Sequence, residues 1–268
     1  DQSARSLIRL ILLSLLSSPR FDYFAKTMIM HTCSIRKCKQ GRMARIVFTA
    51  DNHLSKSYSR MTPDQLARRR LRLRQGWEAT VDFALRERVD AYLHGGDLFD
   101  NASPRYAEII SVVRQMLRLR DAHIPVFMIG GNHDVPRSRA DGATPQRLLG
   151  EVGLAQVFTR TQAVAWEMLT IDGLKLAIGG LPFDPRLGRG DDPLDEVEGL
   201  TPPADADRAV LMLHYAVEGA LQPEVNEPIL TKERIASLSG IDLLLVGHIH
   251  ERKVMSIGDV EVALCGPT

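Results

Sequence analysis

The stretch IPVFMIGGNHD, from Ile124 to Asp134, decides the fold of this chain. Its first half is apolar, as is typical of a buried strand, and it ends at two glycines. Three polar residues follow in succession: Asn132, His133 and Asp134. Ligands of α/β sheets bind beyond the carboxyl ends of the strands, where these side chains would lie. The stretch therefore predicts a buried strand that leads directly into a ligand-binding loop.

The residues before this stretch alternate between strand and helix patterns. RIVFTA (45–50) and DAYLHG (90–95) predict short buried strands. Residues 63–89 predict a long helix that begins at a proline, and residues 104–122 predict a second helix. A chain that alternates in this way forms a mostly parallel sheet covered by helices.

The residues after the stretch contain many strand patterns with few helices between them. The runs are AVAWEML, LKLAIGG, AVLMLHY, DLLLVGH, RKVMSIG and VEVALCG. They predict a second, partly antiparallel sheet packed on the first. Residues 184–207 are rich in proline, glycine and aspartate, and they predict a long surface loop.

The composition is that of an ordinary globular protein. Of 268 residues, 44% are hydrophobic and 25% are charged, which excludes disorder along the whole chain. The formal net charge is +1, so attraction to nucleic acid would have to come from local patches. Three cysteines cannot build a disulfide framework, which favours a reducing compartment. We therefore predict a cytoplasmic protein with no membrane contact.

Residues 1–42 differ from the rest of the chain. SLIRLILLSLLSS is apolar, but it is shorter than the roughly 20 residues that span a membrane. We predict that residues 1–42 are a non-native or disordered extension and that the domain occupies residues 43–268. A secretory signal is the alternative interpretation.

Five predicted strand ends carry side chains that bind metal ions. Alternate residues of an extended backbone point the same way, so D-x-H and H-x-H can each direct two ligands into one space. Each short motif is common by chance, but one metal centre would explain all five together. The side chains at these ends, of which seven are counted as ligands, are Asp51, His53, Asp97, Asp100, Asn132, His133, Asp134, His214, His248 and His250.

This donor set predicts the class of ion. Carboxylate, imidazole and amide oxygen without thiolate suit manganese, iron or zinc. Seven ligands are too many for one catalytic ion with open positions, but they suit two. Two ions about 3.5–4 Å apart can hold the attacking and leaving oxygens of a phosphoryl displacement.

The ordered set D-x-H, G-D-x-x-D, G-N-H-D, H and G-H-x-H resembles the calcineurin-like metallophosphoesterase superfamily over residues 44–268. GGDLFDNASP (95–104) is similar to the corresponding segment of SbcD-type DNA repair exonucleases. The resemblance implies an α/β fold, a four-layer α/β/β/α sandwich of two packed mixed sheets flanked by helices. It also implies a two-metal DNA nuclease, here truncated before a C-terminal cap domain.

The resemblance further implies a role for each site residue. One ion would be held by four side chains: Asp51, His53, Asp97 and His250. The other would be held by a set that shares the bridging carboxylate: Asp97, Asn132, His214 and His248. His133 would stabilise or protonate the leaving oxygen, and Asp134 would orient His133. The implied cofactors are two divalent ions, manganese first, with iron, zinc or magnesium as alternatives.

The substrate is less sharply predicted. Arg68, Arg69 and Arg72 lie on the first helix and could contact DNA phosphates, although such a run is often only a solvated helix face. The implied partners are DNA, an SbcC-like ATPase and a second copy of the chain. A phosphatase or small-molecule phosphodiesterase of the same superfamily is the enzymatic alternative. A scaffold that has lost its metals is the non-enzymatic one.

Overall fold

The computed structural model describes residues 8–12, 44–136, 143–220 and 227–267. Its first sheet has five strands in the order β1-β2-β3-β4-β5, all paired in parallel. The strands are β1 (Ile8–Leu12), β2 (Ala44–Thr49), β3 (Ala91–His94), β4 (Val126–Ile129) and β5 (Gln156–Phe158). The helices between them are α1 (Pro63–Glu87), α2 (Tyr106–Asp121) and α3 (Arg147–Glu151). The predicted alternation of strands and helices is confirmed.

Helix α1 begins where the sequence predicted. Thr62 caps it, because its side chain accepts a hydrogen bond from the Gln65 N–H while Gln65 bonds back to the Thr62 N–H. Pro63 fits the first turn, because a backbone N–H at that position has no carbonyl of the helix to bond. Further along α1, Trp77 and Val81 are fully buried against the outer face of the first sheet. This apolar face, with that of α2, covers one side of the sheet.

The second sheet has six strands in the order β12-β13-β11-β8-β7-β6, and it is mixed. The strands are β6 (Ala165–Ile171), β7 (Leu174–Leu181), β8 (Arg208–His214), β11 (Leu243–Gly247), β12 (Arg252–Ile257) and β13 (Val260–Cys265). The pairs β6·β7 and β12·β13 are antiparallel, and the other three pairs are parallel. A small parallel pair, β9 (Ala216–Val217) with β10 (Ile229–Leu230), stands beside it. Helix α4 (Lys232–Ala236) follows β10.

The two sheets pack face to face on a shared core. Phe48 and Leu93 come from the first sheet, Met212 and Leu245 from the second, and all four are fully buried. The predicted packing of two sheets is confirmed. Two details differ, since the first sheet is parallel throughout and the second sheet's outer face is covered by α4 and loops. Proline and glycine keep residues 184–207 from forming a long helix. Leu194 from this segment is nevertheless buried against the outer face of the second sheet.

Parts of the prediction fall outside the described residues. Of residues 1–42, only Ile8–Leu12 is described, and it forms a strand along the edge of β2. The predicted start of the domain at Met43 also lies outside them. None of the described helices is long and apolar enough to cross a lipid bilayer.

Candidate metal centre

The candidate ligands lie where the carboxyl ends of the strands meet. The loops after β2 and β3 are joined by backbone hydrogen bonds, from Asp51 N–H to Gly96 O and from His53 N–H to Asp97 O, both at 3.0 Å. Asp51, Asp97 and His248 have positive φ angles of 57°, 55° and 83°. Such conformations cost about 1–3 kcal/mol each for residues other than glycine and concentrate at functional sites. The chain turns sharply here and directs these side chains inward.

Asp97 is central to the site. Its Oδ2 lies 3.4 Å from His214 Nε2 and 3.9 Å from His53 Nε2. Its Oδ1 accepts the His133 N–H at 2.9 Å. One carboxylate oxygen thus faces two histidines that come from different sheets, as a bridging ligand would.

On one side of Asp97 is the Asn132 cluster, which consists of Asn132, His214 and His248. His214 donates from Nδ1 to Gly95 O at 2.7 Å, so its Nε2 faces the site. Asn132 Oδ1 lies 3.1 Å from that Nε2 and 3.0 Å from His248 Nδ1. Two ring nitrogens therefore converge on one amide oxygen.

On the other side is the Asp51 cluster, which consists of Asp51, His53 and His250. The Nε2 atoms of His53 and His250 are 3.2 Å apart, and His250 Nε2 is 3.9 Å from Asp51 Oδ1. The Asp51 carboxylate also accepts the His248 N–H, with both oxygens 3.1 Å away. This bond ties the Asp51 cluster to the backbone of the Asn132 cluster.

The donor atoms fit divalent cations. One ligand atom from each of Asp51, His53 and His250 lies within 4.8 Å of the others, and the same holds for Asp51, Asp97 and His214. Two facing imidazole nitrogens repel unless a proton or a cation lies between them. Oxygen and nitrogen donors without sulfur are the set that manganese, iron and zinc accept.

The electrostatics of the metal-free site follow from burial and mutual contact. Burial would raise the pKa of Asp97, but the facing His214 outweighs it and holds that pKa below its ordinary value. Burial would lower the pKa of His214, yet Asp97 and Asp51 raise it to about 9. Burial raises the pKa of Asp51 to about 7, with Asp97 adding to the effect. The site holds protons where a cation would replace them.

Gly131 allows the two loops to approach each other. A Cβ at this position would lie 2.6 Å from both the backbone nitrogen of Asp97 and His214 Cε1, and it would also collide with Asp97 Oδ1. Only hydrogen fits there, so the glycine before Asn132 is a packing requirement of the site.

His133 and Asp134 differ in their exposure and in their hydrogen-bond partners. The His133 side chain is 42% exposed, and its Nδ1 is 3.2 Å from Asp100 O. Asp134 is fully buried, and its carboxylate accepts three backbone N–H groups, those of Asp97, Phe99 and Gly131, at 2.8–3.1 Å. The orientation of His133 by Asp134 stays a prediction. Because three backbone N–H groups donate to this one buried carboxylate, Asp134 braces the ligand loops.

Three side chains around the site were not assigned from the sequence. Asp100 Oδ1 is 3.2 Å from His53 Nδ1, and Glu227 Oε2 is 2.8 Å from His248 Nε2. His94 is fully buried and bonds Asn52 Oδ1 at 2.7 Å, which links the strand before Asp97 to the loop after Asp51. Asp100 belongs to a quoted motif, whereas Glu227 lies in a segment with no motif or periodicity.

The arginines of α1 divide into two groups. Arg69 donates to the Tyr58 hydroxyl at 3.3 Å and lies over its ring, and Arg70 donates to Lys56 O at 3.4 Å. Both are therefore tied to the loop that follows His53. Arg68 and Arg72 are exposed.

The sequence profile of calcineurin-like phosphoesterases matches residues 44–252, which include every candidate ligand. The chain belongs to the calcineurin-like phosphoesterase family. The predicted resemblance is thereby confirmed.

Curated relatives of this calcineurin-like phosphoesterase chain include DNA double-strand break repair proteins Mre11. The one from Saccharolobus solfataricus is 28% identical over 212 residues, which are 78% of this chain and 50% of the relative. The one from Haloferax volcanii is 30% identical over 227 residues, 84% of this chain and 46% of the relative. The chain thus spans about half the length of these relatives. A solved archaeal phosphodiesterase is 16% identical across 83% of both chains, with a TM-score of 0.37.

Proposed function

We infer that this chain is a metal-dependent phosphodiesterase that hydrolyses DNA by two-metal chemistry. The observation that carries the proposal is the meeting of seven donor side chains from both sheets, with Asp97 at their centre. Membership of the calcineurin-like phosphoesterase family supports hydrolysis of phosphoesters. The names of the Mre11 relatives support DNA as the substrate.

The proposed ligands divide as the two clusters do. The Asp51 cluster would hold one cation, the Asn132 cluster would hold the other, and Asp97 would contribute to both. Manganese is proposed for both positions, and iron, zinc or magnesium would also accept these donors. When bound, two such ions lower the pKa of an attacking water to about 7 and neutralise charge on the phosphate.

The chain's own side chains would complete the chemistry. His133 is exposed beside the two clusters, its ring 4.7 Å from that of His53, so it can reach a substrate that lies over the centre. We assign to it the donation of a proton to the leaving oxygen, with Asp100 O holding its Nδ1 at 3.2 Å. Asp134 would keep the loops in place without touching the substrate.

DNA is favoured over a small ester by the arginines of α1. Lys56 and Tyr58, which hold Arg70 and Arg69, lie three and five residues after His53, and Lys56 is 3.4 Å from the Asp100 carboxylate that contacts His53. The basic end of α1 is therefore linked to the Asp51 cluster. Exposed Arg68 and Arg72 would contact the backbone phosphates beyond the cleaved bond. An SbcC-like ATPase partner, a homodimer and a cytoplasmic location remain predictions from the sequence.

One assay tests the function. The purified chain with manganese is incubated with linear DNA. It is incubated separately with bis(p-nitrophenyl) phosphate, a diester, and with p-nitrophenyl phosphate, a monoester. We expect DNA to be cleaved and the diester to turn over faster than the monoester. Turnover of the small esters with DNA left intact would favour the small-molecule alternative. No turnover of any substrate would favour the scaffold that has lost its metals.

A further inference from the structure

Glu227 makes a contact on the far side of a proposed metal ligand. Its Oε2 lies 2.8 Å from His248 Nε2, and the two side chains are 17% and 12% exposed. On the opposite side of the same ring, His248 Nδ1 is 3.0 Å from Asn132 Oδ1. The imidazole therefore spans from the Glu227 carboxylate to the Asn132 cluster.

The two acceptors compete for one proton. A neutral imidazole carries a single N–H, which either of its nitrogens can hold. Hydrogen bonds to an ionised carboxylate are roughly twice as strong as those to a neutral amide oxygen. Glu227 therefore draws the proton to Nε2, and Nδ1 keeps its lone pair directed toward Asn132 and His214.

The fold holds Glu227 at this position. The next residue, Pro228, is buried and restricts the backbone of Glu227 to an extended conformation. Strand β10 follows at once and pairs with β9, which begins one residue after Tyr215 and two after His214. The Glu218 N–H also donates to Leu230 O at 3.0 Å, which closes the pair. Glu227 is thus anchored to the segment that carries His214.

We propose that Glu227 is a positioning residue of the metal centre, fixing His248 in the tautomer whose free Nδ1 faces the Asn132 cluster. The inference rests on the proposed two-cation function. It adds a residue that neither the sequence motifs nor the family match assigns. Carboxylates that orient a ligand histidine in this way are a general feature of metal sites.

Manganese binding, measured by calorimetry without substrate, gives the first test. Loss of a residue that orients a metal ligand lowers metal affinity by about 10–100-fold, and we expect a loss of that size for one of two ions in Glu227→Ala. Glu227→Gln keeps an oxygen acceptor of the same shape and should lose less. Glu218→Ala is the matched control, because it removes a carboxylate that bonds the Lys232 N–H instead of a histidine. It should bind manganese as the wild type does.

The ring ¹⁵N shifts of His248 in the metal-free protein give a readout independent of activity, and His248→Asn identifies its signals. We expect the Nε2–H tautomer in the wild type and in Glu218→Ala. We expect a mixture of tautomers in Glu227→Ala and also in Glu227→Gln, whose neutral amide oxygen is no stronger an acceptor than that of Asn132. An unchanged tautomer or unchanged manganese affinity in Glu227→Ala would overturn the proposal. If the wild type hydrolyses no ester, the proposed function fails, while the tautomer comparison still decides the role of Glu227.

Discussion

His133 is half exposed at the proposed centre, as His250 is, and its ring lies 4.7 Å from that of His53. Its ring nitrogens can also be counted as ligand atoms, since one lies within 4.8 Å of those of His53 and Asp97. Two roles therefore compete for it, proton donor and eighth ligand. The hydrogen bond from Nδ1 to Asp100 O, which directs that nitrogen away from a cation, favours the proton donor.

Replacing His133 by asparagine separates these roles. We expect turnover of the diester to fall by about 10²–10⁴-fold, the usual contribution of a general acid, with both manganese ions still bound. Calorimetry gives the stoichiometry and a colorimetric assay gives the rate. His123→Asn is the control, because His123 is exposed and precedes β4, at the opposite end of that strand from His133. Loss of one bound ion in His133→Asn would make His133 a ligand.

At the level of single residues, the sequence located the side chains that meet at the candidate site, and it missed residues that lie behind them. The candidate ligands could be located because each lies at or just beyond the end of a buried strand, and parallel strands bring their ends together. Glu227 could not be found, because its partner His248 is 21 residues away and no pattern links the two. The backbone contacts of Asp134 could not be predicted for a similar reason, since the N–H groups that it binds come together only in the folded loops.

At the level of elements, long elements were predicted and short ones were missed. α1, α2 and the central strands have apolar periodicity over enough residues to be recognised. β5, β9 and β10 have three or two residues each, and they exist because a neighbouring strand supplies their hydrogen bonds. α3 and α4, of five residues each, are likewise shorter than an isolated helix can be.

Helix α1 carries the prediction for DNA binding. Each phosphate contact contributes about 0.9 to the dependence of log affinity on log salt, so Arg68→Ala and Arg72→Ala should each reduce that slope by about one. Turnover of a small diester should be unchanged. Titration of fluorescent DNA at several salt concentrations gives the slopes. Arg86→Ala is the control, because Arg86 is on the same helix about 21–27 Å farther along than the two test residues, at 1.5 Å per residue. Slopes that match the wild type would make the arginine run a solvated face.

At the level of the whole molecule, the proposed centre ties the two sheets together. Asp51 and His248 are 197 residues apart in sequence, yet the carboxylate of one accepts the backbone N–H of the other. The ligands come from the ends of β2, β3 and β4 in one sheet and of β8 and β11 in the other. A cation bound between them stabilises only the folded chain, because the unfolded chain has no such site.

This coupling predicts that stabilisation by manganese grows with pH. In the metal-free protein the pKa of His214 is raised to about 9, so the stability it contributes is complete below about 6.5 and is lost as pH rises toward 9. Asp51, with its pKa raised to about 7, changes in the same direction. A bound cation displaces these protons, and fewer protons compete with it for the ligands at higher pH. Melting temperatures measured with and without manganese from pH 6 to pH 8 should therefore diverge. Asp97→Asn should show little shift at any pH, and a shift in the wild type that shrank with pH would contradict the proton displacement.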